Sequence, residues 1–205
     1  MRPVAAWALV LLARCNPAGA VQPLTVAAKA AFAHRHNAAR CAVGVASLSW
    51  DDADAAAAAA LASTCAYSKS AYVGLDNGGR GESLHAVSFH QPPEAAAAAA
   101  SEGFLAEAAN WDCEGNSCSS SAGSSAQASC LHYTQAVWED TTTLGCAVEH
   151  CTTGSPFPAG GDWTLVVCEY SPAGNSPAYA RPFVTANCNG QSTCAGDGSA
   201  PDSAA

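Results

Sequence analysis

The stretch LHYTQAVWEDTTTLGC, residues 131–146, decides how the rest of the chain is read. It sets an imidazole, His132, ahead of an aromatic pair, Tyr133 and Trp138, then a run of threonines and a Gly145-Cys146 step. Polar groups fixed inside an aromatic frame are more typical of a built site than of a plain core. The residues just downstream supply its setting. Residues 145–151 and 163–170 (WTLVVCEY) are the best strand candidates, the second being β-branched and aromatic with period-two character. Residues 152–162 between them read as a hairpin loop.

Upstream the pattern changes to helical. Residues 24–42 carry Leu24, Val26, Ala27, Ala31 and Phe32 at helical spacing, with Gly44 as the stop. Residues 51–67 form a second helix with acidic side chains in its first turn, where the helix dipole favours them. Residues 94–111 form a third, entered through Pro92-Pro93. The alanine runs 55–60 and 95–100 are high-propensity helix that packs closely because Ala is small. Residues 112–129, rich in Ser, Gly and Asn and holding two cysteines, read as a stapled loop. Helices and a few strands mixed in one cysteine-rich chain predict an α+β layered domain.

Residues 1–20 have the form of a secretory signal: Arg2, a short apolar run, then Ala18-Gly19-Ala20 as a small-residue cleavage site. The apolar run is shorter than the ~20 residues a bilayer span needs. Cleavage removes Arg2, Arg14 and Cys15 from a 205-residue chain, leaving six basic residues against 17 acidic ones, a formal charge of −11. Such a chain repels phosphate backbones, which argues against nucleic acid as a partner. Ten cysteines remain: Cys41, Cys65, Cys113, Cys118, Cys130, Cys146, Cys151, Cys168, Cys188 and Cys194. An even number in an exported chain predicts disulfides of undefined connectivity. The pairs Cys113/Cys118 and Cys146/Cys151 also read as metal knuckles, although four intervening residues is loose for zinc.

Several stretches together resemble the CAP superfamily of cysteine-rich secretory, antigen 5 and pathogenesis-related class 1 proteins (the SCP domain). His132 to Trp138 resembles its first signature, and VVCEYSPAGN (166–175) its second, with Glu169 where Asn is common. His36-Asn37 and Arg40 resemble its opening helix. Leu48, Trp50 and Asp51 resemble the next element, continued by Ala55, Ala58, Ala62 and Cys65, with Asp54 in a Leu position. Gly81-Glu82 matches a Gly-Glu-Asn step with Ser83 for Asn, and Phe104, Glu107 and Trp111 match a Trp, Glu, Tyr spacing. Pro182-Phe183 resembles a closing Pro-Tyr. The resemblance implies a disulfide-stabilised three-layer α-β-α sandwich with a central, mostly antiparallel sheet, spanning residues 21–187. Residues 188–205 then form a cysteine-containing polar tail.

The resemblance also implies a cleft lined by two His and two Glu, which in several relatives binds a divalent metal, often zinc. One His maps to His132 and the glutamates to Glu82 and Glu107. The other His position, counted from both Cys65 and Ser70, is Lys69, whose ammonium has no lone pair to give a metal. The expectation is therefore that Lys69 sits between Glu82 and Glu107 and replaces the metal's charge, with no cofactor. If zinc did bind, His132, Glu82 and Glu107 would hold it. The chain is expected to be secreted and non-catalytic, binding a lipid or sterol, or an extracellular protein or glycan, in defence or signalling. The competing expectation is a peptidase-like hydrolase using Glu82, Glu107 and His132, with Ser70 or Ser83 as nucleophile.

Overall fold

The computed structural model describes residues 23–69, 79–118, 130–175 and 180–189. The expected signal (1–20), Cys194 and the tail from Ala195 lie outside the described residues.

The first helix, α1, spans Val26–Ala42 and starts two residues later than its apolar spacing predicts. Thr25 is the reason: its side chain accepts from the Ala28 amide and so caps the first turn. The helix ends at Gly44, whose φ of 69° puts it in the left-handed region that favours glycine. Strand β1 (Ser49–Trp50) leads into α2, Asp52–Ala62. Asp51 caps α2, accepting from the amides of Ala53 and Asp54. The expected run of α2 to residue 67 is cut short at Ala62. There Ser63 and Thr64 turn their hydroxyls back onto the carbonyls of Ala60 and Leu61, and Cys65 takes a φ of 50°.

Strand β2 is Gly81–Val87, and α3 is Pro93–Ala106, with a proline in its first turn. Beyond Ala106 the predicted third helix tightens to a 3₁₀ turn, Glu107–Asn110, and gives way to β3 (Trp111–Asp112), which pairs with β4 (Ser117–Cys118). Helix α4 is Leu131–Ala136, followed by β5 (Thr143–Cys151), β6 (Trp163–Ser171) and a 3₁₀ turn, Thr185–Asn189.

The main sheet runs in the order β1-β5-β6-β2, antiparallel except for the short β1–β5 pair. Strand alternation gives it two covered faces. On one side Leu84, Ala147, Leu165 and Val167 pack under Ala58 and Ala62 of α2. On the other, Leu144, Cys146, Val148, Val166, Cys168 and Tyr170 pack against Phe32 of α1 and Ala96, Ala97, Ala100 and Phe104 of α3. The result is an α-β-α layering. Small residues set its spacing. Gly145 lies on the α2 face, and a methyl group there would run into the α2 backbone at Asp51, Asp54 and Ala55. The helix therefore rests on the sheet at main-chain contact.

Four disulfides are defined among the described residues. Cys146–Cys168 bridges β5 and β6 at paired register positions. Cys65–Cys151 ties the end of α2 to the end of β5. Cys118–Cys130 and Cys113–Cys188 staple the segment before α4. The two cysteine pairs that also read as metal knuckles are thereby split between different bridges. Cys41 is disulfide-bonded as well.

Candidate functional site

Helix α4 and the turn after β6, which carry the two signature stretches, are bonded to one another. Gln135 accepts from the Gly174 amide, Thr134 donates to Asn175, and Asn175 donates to the Leu131 carbonyl. Arg40, fully buried, fixes the same region from α1. Its guanidinium donates to the carbonyls of Ala46, Ala136, Trp138 and Thr141 at 2.6–3.1 Å. Burial pulls its pKa down to about 10, the nearby Glu139 charge opposing, so it stays charged at neutral pH. His36 on the same helix is bonded at both ring nitrogens, to the Phe32 carbonyl at 2.8 Å and the Tyr170 hydroxyl at 3.0 Å. A carbonyl only accepts, so Nδ1 carries the proton and Nε2 accepts from Tyr170. Burial drives the His36 pKa down to about 4.

This frame holds His132 in the first turn of α4, against the 3₁₀ turn after α3. Glu107 receives both N–H groups of His132, Oε2 from the main chain and Oε1 from ring Nδ1, each at 2.8 Å. Burial by itself pushes the Glu107 carboxyl up. The hydrogen bonds and charge of His132, with help from the Tyr133 amide, outweigh it and hold the carboxyl below its ordinary range. Because a carboxylate only accepts, ring Nδ1 carries a proton. The Phe104 ring packs on His132 with centroids 5.0 Å apart, and meets His85 of β2 edge-on at 6.2 Å. Burial, then the charge of His132, lowers the His85 pKa. His85 matches nothing specific in sequence terms. Counting alternate residues of β2 from Gly81 would have put it on the α3 face.

The four residues that the sequence sets in one cleft form two groups. Glu107 and His132 lie together on the α3 side. Glu82 lies on the other side of β2, in the same alternation as Leu84, where it faces α2 and is paired in register with Glu169. Lys69 is not wedged between two glutamate side chains: its Nζ donates to the main-chain carbonyl of Glu82, at 2.7 Å. The reason is the period of two along a strand, which sends the carboxyl and the neighbouring side chains to opposite faces.

This donor set does not fit a zinc site. Glu82 is on the wrong face, Lys69 offers no lone pair, and the Phe104 ring packs against both imidazoles. Among the described residues no three His, Cys, Asp or Glu side chains are placed to hold one ion. Of the hydrolase components, Ser70 lies outside the described residues, and Glu82 is on the opposite face of β2 from the Glu107–His132 pair. Ser83 is fully buried in β2, and among the described residues no hydroxyl or thiol bonds to His132.

A second feature lies between α1 and α3. A shallow, solvent-open groove of about 480 Å³ is lined by Ala38, Ala39 and Leu105, with His34 and Arg35 beside them.

The profile of the CAP family, described as the cysteine-rich secretory protein family, matches residues 33–170. The chain is 34% identical to pathogenesis-related protein 1A1 of Solanum lycopersicum over 146 residues, 70% of this chain and 71% of that one. It is 33% identical to the basic form of pathogenesis-related protein 1 of Nicotiana tabacum over 154 residues, 74% of this chain and 73% of that one. Among solved structures, NaASP2 with Zn²⁺ superposes with a TM-score of 0.58 at 25% identity, covering 78% of this chain and 85% of that chain. The signature stretches, the layered fold and these similarities agree: the chain belongs to the cysteine-rich secretory protein (CAP) family.

Proposed function

We propose that this chain is a secreted, non-catalytic binding protein with a part in defence or signalling, and that its ligand is a lipid with an anionic headgroup. The observation that carries the reading is the groove between α1 and α3. Its 480 Å³ is within the ~300–1,000 Å³ usual for small-molecule sites. Ala38, Ala39 and Leu105 offer an apolar surface to an acyl chain, and Arg35 offers a guanidinium to a carboxylate or phosphate. Pathogenesis-related relatives support the defence role, and the disulfides support export. No helix among the described residues is long and apolar enough to cross a membrane.

In this reading the Glu107–His132 pair orients α4 and works without a metal or a nucleophile. The split of the four cleft residues into two groups supports that view over a hydrolase. Native mass spectrometry of protein secreted from its own cells tests the proposal. Co-purified lipid on an otherwise metal-free chain is the expected result. A stoichiometric metal and no lipid would contradict it.

A further inference from the structure

Strand β5 is partnered along only part of its outer side. It pairs with β6 over its whole length, Thr143 to Cys151. On the other side β1 pairs with Thr143 and Leu144 alone. The Asp51 amide closes that short ladder on the Leu144 carbonyl, and Asp51 then caps α2, which carries the chain away. The Leu144 carbonyl therefore points away from β6. Hydrogen-bonding direction alternates along an antiparallel strand, so Cys146, Val148 and His150 aim their N–H and C=O groups the same way. The Cα atoms of Cys146 and Cys168 agree with this. They are 4.1 Å apart, the close spacing of a pair that exchanges no main-chain bonds. Among the described residues, none bonds to the outward groups of Cys146, Val148 or His150.

A groove of about 290 Å³ follows this edge. Cys146 and Ala147 line its floor, with Ala56 and Ala59 of α2 on one side and Leu24 and Trp50 on the other. Ala59 packs with the α2 layer, whereas Leu24 and Trp50 pack with the α1–α3 layer. A groove that meets both layers runs along the edge between them. Residues 145–151 hold no proline or lysine, and their register with β6 is unbroken by a bulge, so the usual protections of an edge strand are missing. The charge around the groove is acidic. Asp52 is exposed at the β1 end, and Asp162 lies beside His150 at the other, at 3.5 Å. Among the described residues Lys29 is the one cation lining the groove, and it is already bonded to Asp52 at 3.1 Å.

We propose that this edge binds an extended segment of a basic partner protein, which joins the sheet as a further strand beside β5, in line with β1. Main-chain bonds to Cys146, Val148 and His150 hold the segment. Short apolar side chains fit against Ala56 and Ala59, and Lys or Arg at the two ends meet Asp52 and Asp162. A second copy of this chain is the poorer occupant, because it brings a formal charge of −9 to an acidic surface. The edge shares no lining residue with the groove between α1 and α3, so either site can fail without the other.

The probe is a blocked heptapeptide that alternates Val and Ala between terminal lysines, added to the full chain. Amide hydrogen exchange reads its position. Without peptide, the amides of Cys146, Val148 and His150 should exchange faster than those of Ala147 and Glu149, which face β6. Peptide in excess should slow all three by at least about tenfold. The same peptide with proline for alanine has equal charge but cannot pair, and should leave them unchanged. By fluorescence anisotropy, a version with terminal glutamates should bind at least about tenfold more weakly. Ala56→Trp, which fills the groove from an exposed position, should weaken binding by the same factor. So should His150→Pro, which removes an outward N–H and leaves the β6 ladder intact. The proposal is overturned if the lysine peptide protects none of the three amides, or if the proline peptide binds equally well. Protection that grows with protein concentration in the absence of peptide assigns the edge to a second copy and also overturns it. If a variant does not fold, the wild-type exchange data decide alone.

Discussion

His132 gives both of its N–H groups to Glu107, one to each carboxylate oxygen at 2.8 Å. A two-point bond of this kind fixes the ring, its tautomer and the start of α4 together. Glu107→Gln keeps the shape but leaves one oxygen acceptor where there were two. The expected cost is about 1–3 kcal/mol, read from urea unfolding at neutral pH. The pH dependence has a definite sign. A carboxyl held below its usual value of 4.5 contributes stability that is present above that pH and is lost as pH falls through the lower, folded value. Glu107→Gln should flatten that acid-side loss.

Arg40 is expected to be among the most sensitive positions in the chain. Arg40→Ala would leave the carbonyls of Ala46, Ala136, Trp138 and Thr141 without their donor in a buried setting. A loss of about 3–5 kcal/mol follows, measured by denaturant midpoint. Arg40→Lys should rescue little, because one ammonium cannot reproduce the planar fork that reaches four separate carbonyls.

His36 should make the fold acid-sensitive in a window of its own. Its pKa falls from 6.5 to about 4 on burial. Its contribution is therefore complete above 6.5 and disappears as pH drops to 4, a change of roughly 3 kcal/mol. The raised carboxyl of Glu169 acts in the opposite sense. Its contribution is complete below 4.5 and declines as pH climbs to about 8. Thermal midpoints against pH should thus be nearly level between 4.5 and 6.5, where the two one-proton slopes oppose each other, and should fall from 6.5 to about 8; Glu169→Gln should remove that fall and uncover the His36 rise below 6.5.

Gly145 sets the distance between α2 and the sheet. Gly145→Ala would force Asp51, Asp54 and Ala55 away from β5. A destabilisation of about 1–3 kcal/mol is expected by calorimetry, since the colliding atoms are main chain and cannot rotate aside.

The parts of this fold legible in sequence are those governed by local pattern. Trp163 to Tyr170 alternates over β-branched and aromatic residues, and the strand is found there. Pro93 and Glu94 open α3 as their types require. Strand β2 escaped because GESLHAV has neither a β-branched run nor a polar face: residues 81–84 are all buried, some under α2 and some under α3. The short α4 escaped because six residues cannot display a helical period. The same limit explains the site. That Glu107 and His132 line one cleft is what the family resemblance implies. The pairing of Glu82 with Glu169 depends on the register between two strands 87 positions apart, which no local pattern encodes. Lys69 shows the same dependence, since whether it meets a carboxyl or a carbonyl is decided by which face of β2 the carboxyl takes.

Calorimetric titration of the full chain with a long-chain fatty acid such as tetradecanoate tests the binding role most directly. The wild type should show one saturable site. Ala38→Trp, which fills the groove from its exposed side, and Arg35→Glu, which reverses the charge beside it, should each weaken binding at least about tenfold, the loss of ~1.4 kcal/mol. His132→Ala should leave the affinity unchanged. Binding that is indifferent to Ala38→Trp and Arg35→Glu but abolished by His132→Ala would move the ligand to the other site and contradict the account.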